Sequence, residues 1–289
     1  MQNGVTQRPR EPTVSVVIPA KNEARNLEIV LLTLPTVHEV ILVDGHSVDD
    51  TVDTARRVMP SIRVLTQTRQ GKGNALACGF EAATGDIIVM FDADGSADPL
   101  EIVSFVEVLK EGADFAKGSR FRPGGGSADI TRFRRYGNTG LNLLANILMG
   151  THYTDLCYGY NAFWTDLRST ICLPDPMLKV PDRSRVWGDG FEVETVINCR
   201  IAAAKLAVVE VPSFERIRMS GASNLNALSD GVRVLKTLIA ERRRARHMQR
   251  WPLRETAQTR LQRTDQTPGV VANTTTSPDR PSEPAVEVA

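Results

Sequence analysis

Four short apolar runs, each closed by polar residues, fill the first third of the chain: "TVSVVIPA", "VHEVILVDG", "IRVLTQ" and "GDIIVMFDAD". Helical patterns lie between them, from about Glu23 to Leu32, from about Asp49 to Val58, and in "KGNALACGFEAAT". Strand and helix alternating in this way predict an α/β fold, a mostly parallel sheet with helices on both faces. In such sheets ligands bind beyond the carboxyl ends of the strands. The loops "PAKNE", "DGHSVDD", "TRQGKG" and "DADGS" then converge on one crevice.

The last of these loops is the most acidic. In "FDADGSADP", extended backbone would turn Asp92 and Asp94 to the same side, where like charges raise each other's pKa unless a cation relieves them. An EF-hand calcium loop would need Gly at its sixth position and Glu at its twelfth, but counting from Asp92 these hold Ala97 and Val103. Asp98-Pro99 reads as the cap and first position of a helix, "SADPLEIVSFVEVLKEG". Asp92 and Asp94 lie upstream of that cap and remain candidate metal ligands.

The remaining composition narrows the class. A net charge of +1 argues against nucleic acid as a partner. Cys78, Cys157, Cys172 and Cys199 form no C-x-x-C pair, which suits packing in a reducing cytoplasm. "MQNGVTQRPREP" lacks the apolar core of a signal peptide, and "LNLLANILMG" is too short to span a bilayer. Beyond "FRPGGGS" come a helix, "RFRRYGNTGLNLLANILMG", an aromatic-rich segment, "YTDLCYGYNAFWTDL", a helix, "GDGFEVETVINCRIAAAK", and a strand, "LAVVEVPSFERIR". The expected organisation is a flexible leader over 1–13 and one domain over 14–240. Its halves are about 14–122 and 123–240, and a basic helix end with a disordered tail follows over 241–289.

Two phosphate motifs are excluded. The loop after the first strand lacks G-x-G-x-x-G, and Lys72 in "GKGNA" has no glycine five residues before Gly71. The ordered set "SVVIPAKNEARNL", "VDGHSVDDT", "GKGNALACGFEAATGD", "FDADGSADP", "KGSRF", "GYNAF" and "FERIRMSGASNLN" resembles family 2 glycosyltransferases of the GT-A fold. Polyprenyl-phosphate and dolichol-phosphate mannose and glucose synthases are the nearest subgroup. The match covers roughly residues 14 to 240.

The resemblance implies roles. Asp92 and Asp94 would ligate Mg²⁺ or Mn²⁺ on the diphosphate of a UDP- or GDP-hexose. Pro19, Asn22, Glu23 and Asp44 would line the nucleoside pocket, with Lys72 in the donor-binding set. Arg120, Arg132, Arg135 and Arg218 fall in the family's phosphate-handling region, where a planar guanidinium grips phosphate oxygens in pairs. This chain departs from the family at Gly45, where a second acid is common, at His46, where glycine is usual, and at Asn161, where arginine is usual. Ser47, Asp49 and Thr51 read as caps of the following helix.

A sugar hydroxyl acceptor needs a base, whereas a lipid phosphate is already anionic. Asp189, Glu192 and Glu194 are the acids placed to supply one; Asp189 and Glu192 are taken as the candidates, alongside Arg120. The implied activity is inverting transfer of a hexose to polyprenyl phosphate, with a soluble small molecule as the alternative acceptor. A sugar-phosphate nucleotidyltransferase or a non-catalytic nucleotide-sugar binding module are the rival classes. Val232, Val234, Leu235, Leu238 and Ile239 recur at helical spacing before Arg242, Arg243, Arg244, Arg246, Arg250 and Trp251. Such a basic amphipathic helix either lies peripherally on the inner face of a membrane or packs on the domain.

Overall fold

Strands β1 (Val14–Ala20), β2 (Glu39–Asp44), β3 (Arg63–Thr66) and β4 (Ile87–Met90) run parallel in the order β3-β2-β1-β4 in the computed structural model, which describes residues 8–181, 186–221 and 227–250. Their residues from Val16 to Ile18, Ile41 to Val43 and Ile87 to Met90 are all but inaccessible to solvent, as expected of strands covered on both faces. Helices α1 (Ala24–Thr33), α2 (Thr51–Val58) and α3 (Lys72–Ala82) make the crossovers. The expected α/β architecture with a mostly parallel sheet is therefore present.

The far half of the sheet departs from the sequence reading. After a 3₁₀ turn at Pro99–Glu101 and helix α4 (Ile102–Lys110) comes β5 (Phe115–Ser119). Later β7 (Asn161–Trp164) inserts antiparallel between β4 and β5, and β8 (Val208–Pro212) adds parallel to β5. The seven-stranded order is β3-β2-β1-β4-β7-β5-β8. β7 lies inside the aromatic-rich segment, where Phe163 packs between Phe80 and Phe115. β5 escapes an apolar search because its central residue is Lys117, fully buried, with an Nζ that has no hydrogen-bond partner among the described residues.

The expected strand over "LAVVEVPSFERIR" is two strands. Pro212 ends β8, and Ser213 carries the chain to β9 (Phe214–Glu215), which pairs with β6 (Gly126–Ser127) in a small second sheet. Helix α5 (Arg132–Met149) starts at a Thr131 cap and ends at Gly150, in left-handed backbone. A short α6 (Arg168–Ile171) and α7 (Val193–Ala203) follow. Helix α7 starts later than expected because "GDG" is a turn, with Gly188 at φ 100°.

Helix α8 (Ala227–Arg250) sets two of its five named apolar residues inward. Val234 and Leu238 join Ala145 of α5 and Cys199 of α7 in a second core, while Val232, Leu235 and Ile239 stay exposed. Glu241 fixes it further through Arg200. Helix α8 is therefore packed on the domain along one side. Trp251, and the tail it opens, lie outside the described residues.

The chain divides into two compact units, Met1–His247 and Met248–Ala289, and the second lies almost wholly outside the described residues. Of the leader expected to be flexible, residues 8–13 are held to the body. Arg8 pairs with Asp114 at 2.7 Å and lies over the Trp164 ring, and Thr13 is bonded to Asp86. Among the described residues no helix is long and apolar enough to cross a membrane.

Candidate active site

β4 ends at Met90, so Asp92 and Asp94 sit in the turn beyond it rather than in extended backbone. Strand alternation therefore does not set their directions, and the two carboxylates take different partners. Asp92 Oδ1 is 2.6 Å from Lys72 Nζ, which also meets Glu194 Oε1 at 2.8 Å. Asp94 Oδ2 is 3.3 Å from Arg218, while its Oδ1 accepts from the amide and hydroxyl of Ser96. Arg218 also pairs with Glu23, whose other oxygen accepts from Asn26.

Lys72 reaches this cluster because it is the first residue of α3, whose N-terminus is locked to the "GDG" turn. The Asp189 carbonyl accepts from the Gly73 and Asn74 amides, serving two of the donors that a helix start leaves unpaired. Arg218 arrives on the segment after β9, which runs along the acidic loop through Arg216 N–H to Ser96 O and Met219 N–H to Asp94 O. Glu23 stands just before α1, at the carboxyl end of β1.

Electrostatically the cluster is unbalanced. Among the described residues the ion-pair partners of Glu23, Asp92, Asp94 and Glu194 are Lys72 and Arg218, which leaves a surplus of two formal negative charges. Burial would lower the Lys72 pKa, but Asp92 and Glu194 override it and hold the ammonium above its ordinary range. Burial pushes the Glu194 carboxyl up against the pull of Lys72, and it raises Glu23 against Asn26 and Arg218. A divalent cation at Asp92 and Asp94 fits this surplus. Among the described residues no three metal-ligating side chains come together, so substrate oxygens and water would complete its shell.

Three expected site residues are placed otherwise. Asp189 is wholly buried, with both carboxylate oxygens engaged by Arg69 at 2.7 and 2.9 Å, so neither is turned to a substrate. Glu192 accepts from the Gly188 and Gly190 amides and borders a cavity of about 260 Å³ with Val186, Trp187 and Arg233. Arg120 is sunk beneath the surface, gripping Asp155 through two nitrogens and Glu215 through a third, its charged form favoured by Asp155 despite burial. These are architectural ion pairs and turn bonds. Of the three acids in "GDGFEVE", the one that meets the acidic loop is Glu194.

Pro19 lies in β1 opposite Val43. Asn22, at φ 58°, accepts from Val48 N–H through its side chain and donates its own amide to Ser47, and Asp44 accepts from the Ser47 amide. Asp49 bears out the capping reading in part, its Oδ1 accepting from the amide (3.1 Å) and hydroxyl of Thr51 at the start of α2, while Asp50, the residue before that helix, makes no side-chain bond to it; Ser47 and Thr51 brace the first loop. Asp49 accepts from Ala24 N–H and Thr51 from Glu23 N–H, which fixes the start of α1. Arg132 and Arg135 stand exposed on the first turns of α5, Arg135 over the Phe121 ring at 5.6 Å, and no ion pair among the described residues ties either to Asp92 or Asp94. The signal that would have found Glu194 is its buried position on α7 facing a lysine, which depends on where the "GDG" turn ends.

Comparisons with known proteins agree on one family. The profile of "Glycosyl transferase family 2" matches residues 15–170. An uncharacterized glycosyltransferase of Mycobacterium tuberculosis is 39% identical over 107 residues, 37% of this chain, and the match spans 48% of that relative's length. An undecaprenyl-phosphate mannosyltransferase of Micrococcus luteus is 32% identical over 209 residues, covering 69% of this chain and 82% of the relative. Among solved structures, glucosyl-3-phosphoglycerate synthase of Mycobacterium tuberculosis superposes with a TM-score of 0.60 at 25% identity, covering 83% of this chain and 85% of that one. It was crystallised with Mn²⁺, UDP and glucosyl-3-phosphoglycerate.

Proposed function

Because the chain belongs to glycosyl transferase family 2, we propose that it moves a hexose from a nucleoside-diphosphate sugar to polyprenyl phosphate, with inversion at the anomeric carbon. The observation that carries this reading is the ion-pair cluster of Glu23, Lys72, Asp92, Asp94, Glu194 and Arg218 at the carboxyl ends of β1 and β4. The mannosyltransferase relative supports the lipid phosphate as acceptor.

Asp92 and Asp94 would hold Mg²⁺ or Mn²⁺, which when bound supplies Lewis-acid stabilisation of the departing diphosphate. Lys72 and Arg218 place positive charge beside the same oxygens, and Glu194 keeps Lys72 turned toward Asp92. Pro19, Asn22 and Asp44 line the nucleoside end of the crevice. The acceptor phosphate attacks the anomeric carbon through an oxygen that already carries negative charge, so no protein group has to take its proton. That accords with the burial of Asp189 and with the hold of the Gly188 and Gly190 amides on Glu192. Arg132 and Arg135, with no ion pair to an acid among the described residues, are exposed cations that would meet the acceptor phosphate. The work is done peripherally at a membrane, where the lipid is.

A soluble phosphorylated acceptor is the second reading, favoured by the complex of the solved neighbour with glucosyl-3-phosphoglycerate. A panel of radiolabelled UDP- and GDP-hexoses, offered polyprenyl phosphate and small phosphorylated acids together, separates the two. Label in the organic phase is expected. Label that stays wholly in water-soluble product moves the assignment to the second reading.

A further inference from the structure

Helix α5 carries an apolar stripe that nothing in the described chain covers. Phe133, Tyr136, Leu143 and Ile147 recur at the spacing of one helix face, and they are 66%, 78%, 62% and 70% exposed. The opposite face is fully used. Asn138, Asn142 and Ala145 are buried, and Leu141, Leu144 and Leu148 pack toward α7 and α8. Between the aromatic and the aliphatic pair lies Gly140, above which a side chain would meet only open space. The stripe is therefore flat, and it takes no part in the packing of the helix.

Charge identifies what it fits. The 18 residues of α5 include Arg132, Arg134 and Arg135 and no acid. Arg134 is paired with Asp129, while Arg132 and Arg135 remain exposed beside Phe133 and Tyr136. Apolar and aromatic residues on the outward side, with arginines at one end, are the composition of a helix that lies in a lipid interface. A second copy of the same face would bring no carboxylate to meet these arginines.

The orientation also suits the reaction. Asn138, half a turn beyond Tyr136, donates to Asp155 at 3.3 Å, and Asp155 grips Arg120, the residue after β5. β5 and β4 are both antiparallel to β7, so their carboxyl ends share one edge of the sheet. The arginine end of α5 thus stands at the edge that carries Asp92 and Asp94.

We propose that the Phe133, Tyr136, Leu143 and Ile147 face of α5, with Arg132 and Arg135 at its head, docks the protein on an anionic lipid bilayer. The docking gives the lipid-acceptor reading its membrane element, and it rests on that reading for its purpose but not for its test. The full chain is sedimented with vesicles of phosphatidylglycerol and phosphatidylcholine in equal parts, without donor or acceptor. Wild type should pellet, less so at high salt. Phe133→Ser with Tyr136→Ser, and separately Leu143→Ser with Ile147→Ser, should each weaken vesicle binding about tenfold or more, with circular dichroism and nucleotide binding unchanged. Phe133→Trp provides a gain of signal, a blue-shifted difference emission on adding vesicles.

Vesicle binding that persists in both double variants overturns the proposal, as does an indole emission in the Phe133→Trp variant that vesicles leave unmoved. A shift from dimer to monomer in the double variants with vesicle binding unchanged overturns it too, in favour of a second copy. Transfer is measured apart, in detergent micelles. A chain that docks through α5 yet labels no lipid refutes the acceptor and keeps the docking, and one that labels lipid in detergent without docking does the reverse.

Discussion

Glu194 and Lys117 are buried charges on α7 and β5, and they illustrate opposite uses of burial. Glu194 is matched with Lys72 at 2.8 Å. Changing it to Gln leaves the shape but takes away the charge that holds Lys72, so kcat should fall about tenfold or more with the donor KM also disturbed, readable in steady-state kinetics. Lys117 has no hydrogen-bond partner among the described residues, and burial lowers its pKa. Unfolded chains then bind the proton that the folded one sheds, so its cost to stability is greatest at low pH and is relieved as pH rises toward the ordinary lysine value. Lys117→Met should raise stability by about 1 kcal/mol or more at neutral pH, with the gain shrinking in alkaline melts. Equal melting curves for both proteins across pH would show that Lys117 is solvated or paired after all.

These two residues also mark where reading from sequence stops at this scale. Asp92, Asp94, Lys72 and Glu23 are visible in the sequence because each closes or follows an apolar run, so the strand-end rule places them together. Glu194 is one of three acids in "GDGFEVE", and choosing it requires the helix phase, which is set by the turn at Gly188 and Gly190. Asp189 is drawn in by its motif and belongs instead to Arg69, 120 residues away. Such a pairing leaves no trace in local sequence. A lysine at the centre of β5 hides that strand by the same logic.

At the scale of elements, the near half of the sheet is legible and the far half is not. β1 to β4 alternate with helices and carry continuous apolar runs, which is a strong local signal. β7 is four residues long and runs against its neighbours, so neither length nor the β-α-β rhythm announces it. The junction that matters most is the start of α3 against the "GDG" turn. A Cβ at Gly73 would overlap the Gly188 carbonyl, and one at Gly71 would overlap that of Asp189 while straining a φ of 124°. Gly73→Ala should therefore cost about 1–3 kcal/mol in denaturant unfolding and move Lys72 off Asp92. A variant with wild-type stability and donor affinity would show that the turn yields freely.

For the whole molecule, the electrostatic design sets what the crevice can hold. The cluster keeps two negative charges beyond what Lys72 and Arg218 neutralise, while the exposed arginines Arg132 and Arg135 lie on α5. A cation-bound diphosphate suits the first region and an anionic acceptor suits the second. Nucleotide binding should then be weak in chelator and should strengthen on adding Mn²⁺, as calorimetry of the full chain with UDP and with GDP will show. Binding of either nucleotide that is indifferent to metal would leave the acidic surplus without a role.

The most direct measurement is the initial rate of hexose transfer under three conditions: as purified, in EDTA, and after Mn²⁺ is restored, for wild type and for Asp92→Asn. The cluster predicts that EDTA abolishes transfer in wild type and that Mn²⁺ restores it. Asp92→Asn should lose on the order of 10² or more in rate as purified and with Mn²⁺ restored, as expected when a principal charge stabiliser is removed. Undiminished transfer in EDTA, together with a wild-type rate in Asp92→Asn, would contradict the account.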